Sequence, residues 1–213
     1  MKTKGNVWII LGLLLLAAAL FLTVWNMNQA NQAGDEARTL VEAIEEQIEK
    51  QAEKRQQSEV EDPLAQTLDP NQPDYVRFPG IEMPTITIRG YDYIGVLSIP
   101  VLKLELPIMS TWDYTRLRAA PCRYQGSAYQ KNMILCAHNY TTHFGRIKNL
   151  AAGDKVIFTD ADGNRFFYQV AEIETLAPTA VEEMEAGEWD LTLFTCTVGG
   201  STRVTVRCEE MEE

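Results

Sequence analysis

Four cysteines and two histidines are the side chains of this 213-residue chain best suited to nucleophilic or metal chemistry. The cysteines stand at 122, 136, 196 and 208. Structural zinc sites draw thiolates from close pairs such as C-x-x-C, and intervals of 14, 60 and 12 residues provide none. Disulfides are open to a domain outside the cell, with three possible pairings that spacing does not decide. The remaining possibility is a reactive thiol, although a cysteine is by default a small buried hydrophobe.

Cys196 departs from that default by its context. It ends the β-type run Leu191-Thr192-Leu193-Phe194-Thr195, and Thr-Val-Gly-Gly-Ser-Thr then offers a tight reversal before Arg203 opens RVTVRC. A hairpin with so short a loop sets Arg203 beside Cys196 across the strand pair. A cation there lowers the pKa of the thiol and can hydrogen-bond a developing oxyanion. His138 ends another run, LCAHN, with Cys136 two residues back on the same face. Taken singly, His138 reads equally as a satisfied strand-end histidine, and Arg203 as a surface arginine bonded to a loop carbonyl. His143 lies mid-loop, away from the strand end, and suits an acid–base role less well. Arg207 shares the strand face of Arg203, and Cys208 lies on the opposite one. What singles out Cys196, His138 and Arg203 is that each sits where a strand meets a loop.

The elements that must hold them are mostly strands. YDYIGVLSIP, LKLELPI, NMILCAH, KVIFT, RFFYQVAEI, DLTLFTC and RVTVRC are short and rich in β-branched or aromatic residues. Asp160-Ala-Asp-Gly-Asn reads as a hairpin turn; its acids and missing terminal Glu do not fit a calcium loop. Only WDYTRLRAA and FGRIKNLAA look helical. Seven or eight short strands in this span predict a closed barrel or a sandwich.

Ahead of them, residues 7–25 hold 19 uncharged residues, 17 of them apolar. That is long enough to cross a hydrocarbon core, with Trp8 and Trp25 at its two edges. Lys2 and Lys4 precede the span and no basic residue follows until Arg38, so the positive-inside rule sets the N-terminus in the cytoplasm and the body outside. The net charge is −11, and removing the two leading lysines leaves −13 for the rest. Such a body does not suit nucleic acid, which needs a basic face. Residues 26–62 carry Leu40, Ile44 and Ile48 at helical spacing among Glu, Gln and Ala, which reads as a solvated helical stalk, or less simply as a short coiled coil or a helix packed on the domain. Pro63, Pro70, Pro73, Pro79 and Pro84 then mark an extended linker. The predicted order is a cytoplasmic end (1–6), a membrane anchor (7–25), a stalk and linker (26–85) and a folded domain (86–213).

With these residues in view the sequence resembles the sortases, membrane-anchored cysteine transpeptidases of Gram-positive bacteria, of a class B-like or unclassified kind. The matching pieces are LTLFTC ending at Cys196 (a TLxTC signature), Arg203 opening the next strand, and Ala137-His138 followed by NYTTHFGRIKNLAAGDKV. The order His, Cys, Arg is the family's, and IGVLSIPVLKLELPI resembles its first barrel strands. Ala137 stands where the family commonly has Gly, and seven residues from Cys196 to Arg203 is a short interval. Arg207 is a second candidate, and Arg203 is favoured because it follows the turn directly. The resemblance implies a closed eight-stranded sortase-type β-barrel with short helices and no cofactor or metal. It assigns Cys196 as nucleophile, His138 as acid and base, Arg203 as the clamp on substrate and oxyanion, and Thr195 as a supporting hydroxyl. The implied partners are the sorting-signal peptide of a secreted protein and an amine of peptidoglycan or a pilin, with the bilayer engaged through residues 7–25. Residues 176–190 are where substrate choice is expected. Papain-like hydrolases place Cys before His, and the Ser-x-Gly-Cys-x-Arg setting of L,D-transpeptidases is absent. A non-catalytic, membrane-tethered β-barrel in surface assembly is the competing reading.

Overall fold

A computed structural model describes residues 3–61, 72–78 and 80–212. Its first element is a single α-helix, α1 (Thr3–Glu61), of 59 residues, roughly 90 Å at 1.5 Å per residue. The apolar span and the polar segment after it are therefore one continuous rod. From Val7 to Trp25 every side chain is exposed. For leucines and isoleucines this is what a lipid-facing segment requires, since a helix satisfies its own backbone there.

The nine strands among the described residues are β1 (Ile86–Ile88), β2 (Tyr91–Ile99), β3 (Leu104–Met109), β4 (Cys122–Gln125), β5 (Met133–Ala137), β6 (Lys155–Asp160), β7 (Arg165–Leu176), β8 (Leu191–Cys196) and β9 (Arg203–Glu210). Eight of them close a ring in the order β2-β3-β4-β5-β8-β9-β7-β6, with β6 pairing back onto β2. Closure removes the open sheet edges that invite aggregation. Short β1 adds to the start of β2 outside the ring. The expected eight-stranded barrel is thus present. Seven of its strands are those read from the sequence. The eighth, β4, is Cys-Arg-Tyr-Gln, too short and too polar to show a period.

Strand β2 is pinched between β3 and β6, and Gly95 makes this possible. Its φ is +148°, and a Cβ there would lie 2.0 Å from the Thr159 carbonyl oxygen. The Asp160 turn joins β6 to β7 in antiparallel register as expected. The Asp160 carboxylate accepts from the Asp162 and Asn164 amides, from Asn164 Nδ2 and from the Tyr129 hydroxyl. That carboxylate is spent on shaping the hairpin.

The segment predicted as a solvated stalk is not solvated on one side. Ala30, Ala33, Ala37, Leu40, Val41 and Ile44 are buried, at the 3–4 spacing of a helical stripe. Leu40, Val41 and Ile44 form a cluster with Tyr93, Val96 and Met109 of β2 and β3, distinct from the cluster that fills the barrel. This explains why YIGVLSI is apolar without alternation: one face of β2 meets the barrel interior and the other meets α1. The helix is a packed layer, and Glu and Gln face outward on its other side. Of the expected linker, Pro63, Pro70 and Pro79 lie outside the described residues. Within it, the chain is not extended throughout: a helical turn α2 (Asp74–Arg77) follows Pro73, and its Tyr75 stacks on Tyr129 with ring centroids 4.5 Å apart.

Two short helices, α3 (Arg116–Ala119) and α4 (Val181–Glu185), lie in the β3–β4 and β7–β8 connections. A six-residue 3-10 helix (Phe144–Asn149) follows β5. The packed layer makes a prediction. In a soluble form beginning after Trp25, Ile44→Ala should lower the unfolding free energy by about 2–5 kcal/mol, read by chemical denaturation. A change near zero would mean that the helix is a stalk after all.

Candidate active site

The site follows from strand direction. Strands β5 and β8 are parallel neighbours in the register Ala137↔Thr195, so both chains leave the sheet at the same rim. The next residues are His138 and Cys196. Strand β9 runs antiparallel to β8 and begins at that rim, with Arg203 directly opposite Cys196. Three residues scattered over 66 positions of sequence therefore meet because two parallel strands end together and a third starts there.

Hydrogen bonds fix the rim. Thr195 Oγ1 donates to the Ala137 carbonyl at 2.8 Å, tying the strand that ends at Cys196 to the residue before His138. Asn139 Nδ2 donates to the Thr197 carbonyl at 3.4 Å, joining the two loops behind the site. The β8–β9 turn closes through Thr197 N to Thr202 O at 3.0 Å. Arg203 Nη1 donates to the Gly200 and Thr202 carbonyls, both at 3.1 Å. Those bonds hold the guanidinium at the rim.

Cys196, His138 and Arg203 line one cavity of about 310 Å³. Its walls are mostly apolar. Val181 and Met184 come from the β7–β8 connection, where the sequence placed substrate choice, and Trp112, Tyr114 and Leu117 come from the β3–β4 connection. Trp112 meets Tyr114 edge to face at 5.8 Å. Sequence reasoning took this aromatic pair only as the start of a helix; its one signal was two large aromatics, Trp112 and Tyr114, in a polar loop. Asn139 was missed for want of any pattern. Two larger clefts of about 540 Å³ lie elsewhere and contain neither thiol nor imidazole.

Arg207 has a different place. It is buried, with Nε on Glu174 at 2.7 Å. Its Nη1 donates to the Met184 carbonyl and the Thr192 hydroxyl, and its Nη2 to the Glu183 carbonyl. It clamps α4 to the barrel wall and does not line the cavity that holds Cys196.

Burial sets the protonation chemistry. His138 is half-buried, and desolvation, reinforced by the Arg118 charge, holds its pKa below the ordinary imidazole value. His143 is fully buried, with neither ring nitrogen hydrogen-bonded, although the backbone of Ala33 approaches it. Its pKa is pushed down to about 4, chiefly by burial and then by His138. The thiols of Cys122, Cys136 and Cys208 are buried and pushed up by desolvation. All four cysteines are free, although Cys122 and Cys136 are cross-strand partners. The described residues contain no group of three or more His, Cys, Asp or Glu placed to hold a metal ion.

Two measurements test this geometry. Brief alkylation of the native protein at neutral pH should modify Cys196 alone, as read by peptide mass spectrometry; equal labelling of Cys136 would contradict the burial pattern. The second concerns His143. Between pH 6.5 and 4 the unfolded chain takes up a proton at His143 that the folded chain refuses, so stability rises with pH across that window. Acidification through it should cost about 3 kcal/mol, and His143→Phe should flatten the dependence.

Comparisons with known proteins agree with this architecture. The family model described as Sortase domain matches residues 97–211. Sortase A of Bacillus anthracis is 30% identical over 132 residues, which are 59% of this chain and 60% of that protein. The chain thus spans less than two thirds of the length of that curated relative. Among solved structures, sortase C1 of Streptococcus agalactiae aligns with a TM-score of 0.51 at 23% identity, over 60% of this chain and 72% of its own. Clostridium perfringens sortase C, solved with the C-terminal cell wall sorting motif, aligns with a TM-score of 0.52 at 21% identity, over 82% and 91%. These relatives are of A and C type, where the sequence pattern pointed to a class B-like or unclassified member. At those identities the structures speak for the fold, and the matched domain, which fills just over half of the chain, speaks for the family: this protein is a sortase-family member.

Proposed function

We propose that the chain is a membrane-anchored cysteine transpeptidase that cleaves the C-terminal sorting signal of secreted proteins and transfers the acyl group to an amine. The observation that carries this reading is the common rim of β5, β8 and β9, with Cys196 opposite Arg203 and one residue beyond the Thr195–Ala137 bond. Cys196, as thiolate, attacks a peptide carbonyl in the cavity. The oxyanion of the tetrahedral intermediate accepts hydrogen bonds from Arg203. Collapse breaks the C–N bond as the His138 imidazolium gives its proton to the departing amine, leaving a thioester on Cys196 and a neutral imidazole. An incoming amine attacks the thioester and yields its proton to His138. The new amide leaves, and the thiolate–imidazolium pair is restored. Every proton and electron pair is accounted for by the two substrates and these side chains, with no cofactor. Thr195 acts through the strand it ties down.

The apolar walls suit an extended peptide with hydrophobic side chains. The β7–β8 connection, residues 176–190, and Trp112 with Tyr114 would read it. The amine would come from a peptidoglycan precursor or a pilin lysine. Residues 7–25 would anchor the enzyme, with Lys2 and Lys4 keeping the N-terminus in the cytoplasm and the barrel outside. Anchoring at the N-terminus suits an enzyme whose substrates emerge from the same membrane.

The test is thioester formation and amine transfer with LPxTG- and NPxTx-like peptides, followed by mass spectrometry. Cys196→Ala should abolish the thioester. His138→Ala should lower kcat/KM by about 10²–10⁴ and Arg203→Ala by about 10²–10³. If no peptide in a broad library yields a thioester while Cys196 still alkylates, the barrel is a tethered, non-catalytic component of surface assembly.

A further inference from the structure

The loop from His138 to Phe144 carries the acid–base histidine, and α1 lies against it. Thr142 Oγ1 donates to the Ala30 carbonyl of α1 at 2.7 Å. At Gly34, one turn further along α1, a Cβ would stand 2.7 Å from Thr142 Cγ2 and 3.0 Å from Thr142 Cβ. Glycine is a poor choice inside a helix, and alanine would be the better helix former. Gly34 has φ in the ordinary helical range, so backbone conformation does not call for glycine there. The close approach of Thr142 does. Beside this contact, His143 is fully buried with the Ala33 backbone near its ring. The ring of His143 lies 5.5 Å from Tyr140, and that of Tyr140 lies 5.1 Å from His138. Within the loop, Phe144 N bonds the His138 carbonyl and Gly145 N bonds that of Tyr140. The loop is thus a tight turn with one face on the barrel rim and the other on the helix.

We propose that α1 is a positioning element for His138: the helix that enters the membrane also sets, through Gly34, Thr142 and His143, the loop that holds the histidine against Cys196. The inference rests on the transpeptidase reading for its kinetic consequence. Helix α1 touches the loop and the outer faces of β1–β3 and α3, and none of its residues lines the Cys196 cavity. Disturbing its contact should therefore change the proton-transfer step and spare peptide binding.

The experiment uses the full chain in detergent micelles. Gly34→Ala should lower kcat at least tenfold with KM within twofold of wild type. Thr142→Ser keeps the hydroxyl and removes the crowded methyl, so the double variant G34A/T142S should recover at least half of the lost kcat. Thr142→Val keeps the shape and deletes the bond to Ala30, and should lower kcat severalfold even if Gly34→Ala folds poorly. The chain has only two histidines, so a carbon-13 proton spectrum resolves the His138 ring without any turnover. Its signal should shift in Gly34→Ala and return in the double variant. A Gly34→Ala protein with wild-type kcat, a loss that Thr142→Ser does not rescue, or an unmoved His138 signal would each overturn the inference. If the wild-type chain forms no thioester, the transpeptidase reading fails, and the His138 signal alone decides whether α1 positions the loop.

Discussion

The parallel pairing of β5 with β8 is the constraint on which the site depends. In a barrel of antiparallel hairpins, consecutive strand ends alternate between two rims, and residues at the ends of adjacent strands stand at opposite edges. This barrel has two parallel pairs, β3–β4 and β5–β8, and the second breaks that alternation at the site. It puts the C-terminal ends of β5 and β8 side by side, and the antiparallel β9 then delivers its first residue to the same edge. A parallel pair needs a long crossover, and here that crossover carries the 3-10 helix, the β6–β7 hairpin and α4. The arrangement that brings His138, Cys196 and Arg203 together thus also supplies part of the cavity wall.

A second dependence runs through β2. It borders β3 on one edge and β1 and β6 on the other, and both its faces are covered, by the barrel core and by α1. Gly95 is the residue that lets β6 approach closely enough to close the ring. The barrel and the long N-terminal helix consequently share a strand. Whatever tilts or displaces α1 acts on the wall of the barrel, and through Thr142 on the loop after β5.

Much of this was legible in the sequence, and the exceptions have physical causes. Seven strands showed themselves through β-branched and aromatic runs; β4 did not, because four residues with one buried side chain carry no period. The apolar stripe of α1 was visible, but a stripe says only that a face is covered, and its narrowness (three alanines among the first buried positions) resembled a solvated helix. Small residues were there because the helix packs close. For the site, Cys196, His138 and Arg203 could be named from their places at strand ends, and Arg203 could be preferred to Arg207 because it follows the turn. The role of Arg207 in clamping α4 needed the β7 partner Glu174, 33 residues away. Trp112, Tyr114 and Asn139 stayed hidden because a loop residue's neighbours follow only from where the loop is carried.

Electrostatics divide the work between the two basic side chains at the rim. Burial and Arg118 both disfavour a charged His138, so any positive charge it carries in the proposed cycle is one it gives up readily. Across the strand pair from Cys196 stands the second of them, Arg203. Arginine holds its proton at any physiological pH, and the turn carbonyls of Gly200 and Thr202 keep its guanidinium at the rim. Burial thus weakens the charge of His138 and leaves Arg203 as the permanent cation opposite Cys196, within a chain whose net charge is −11.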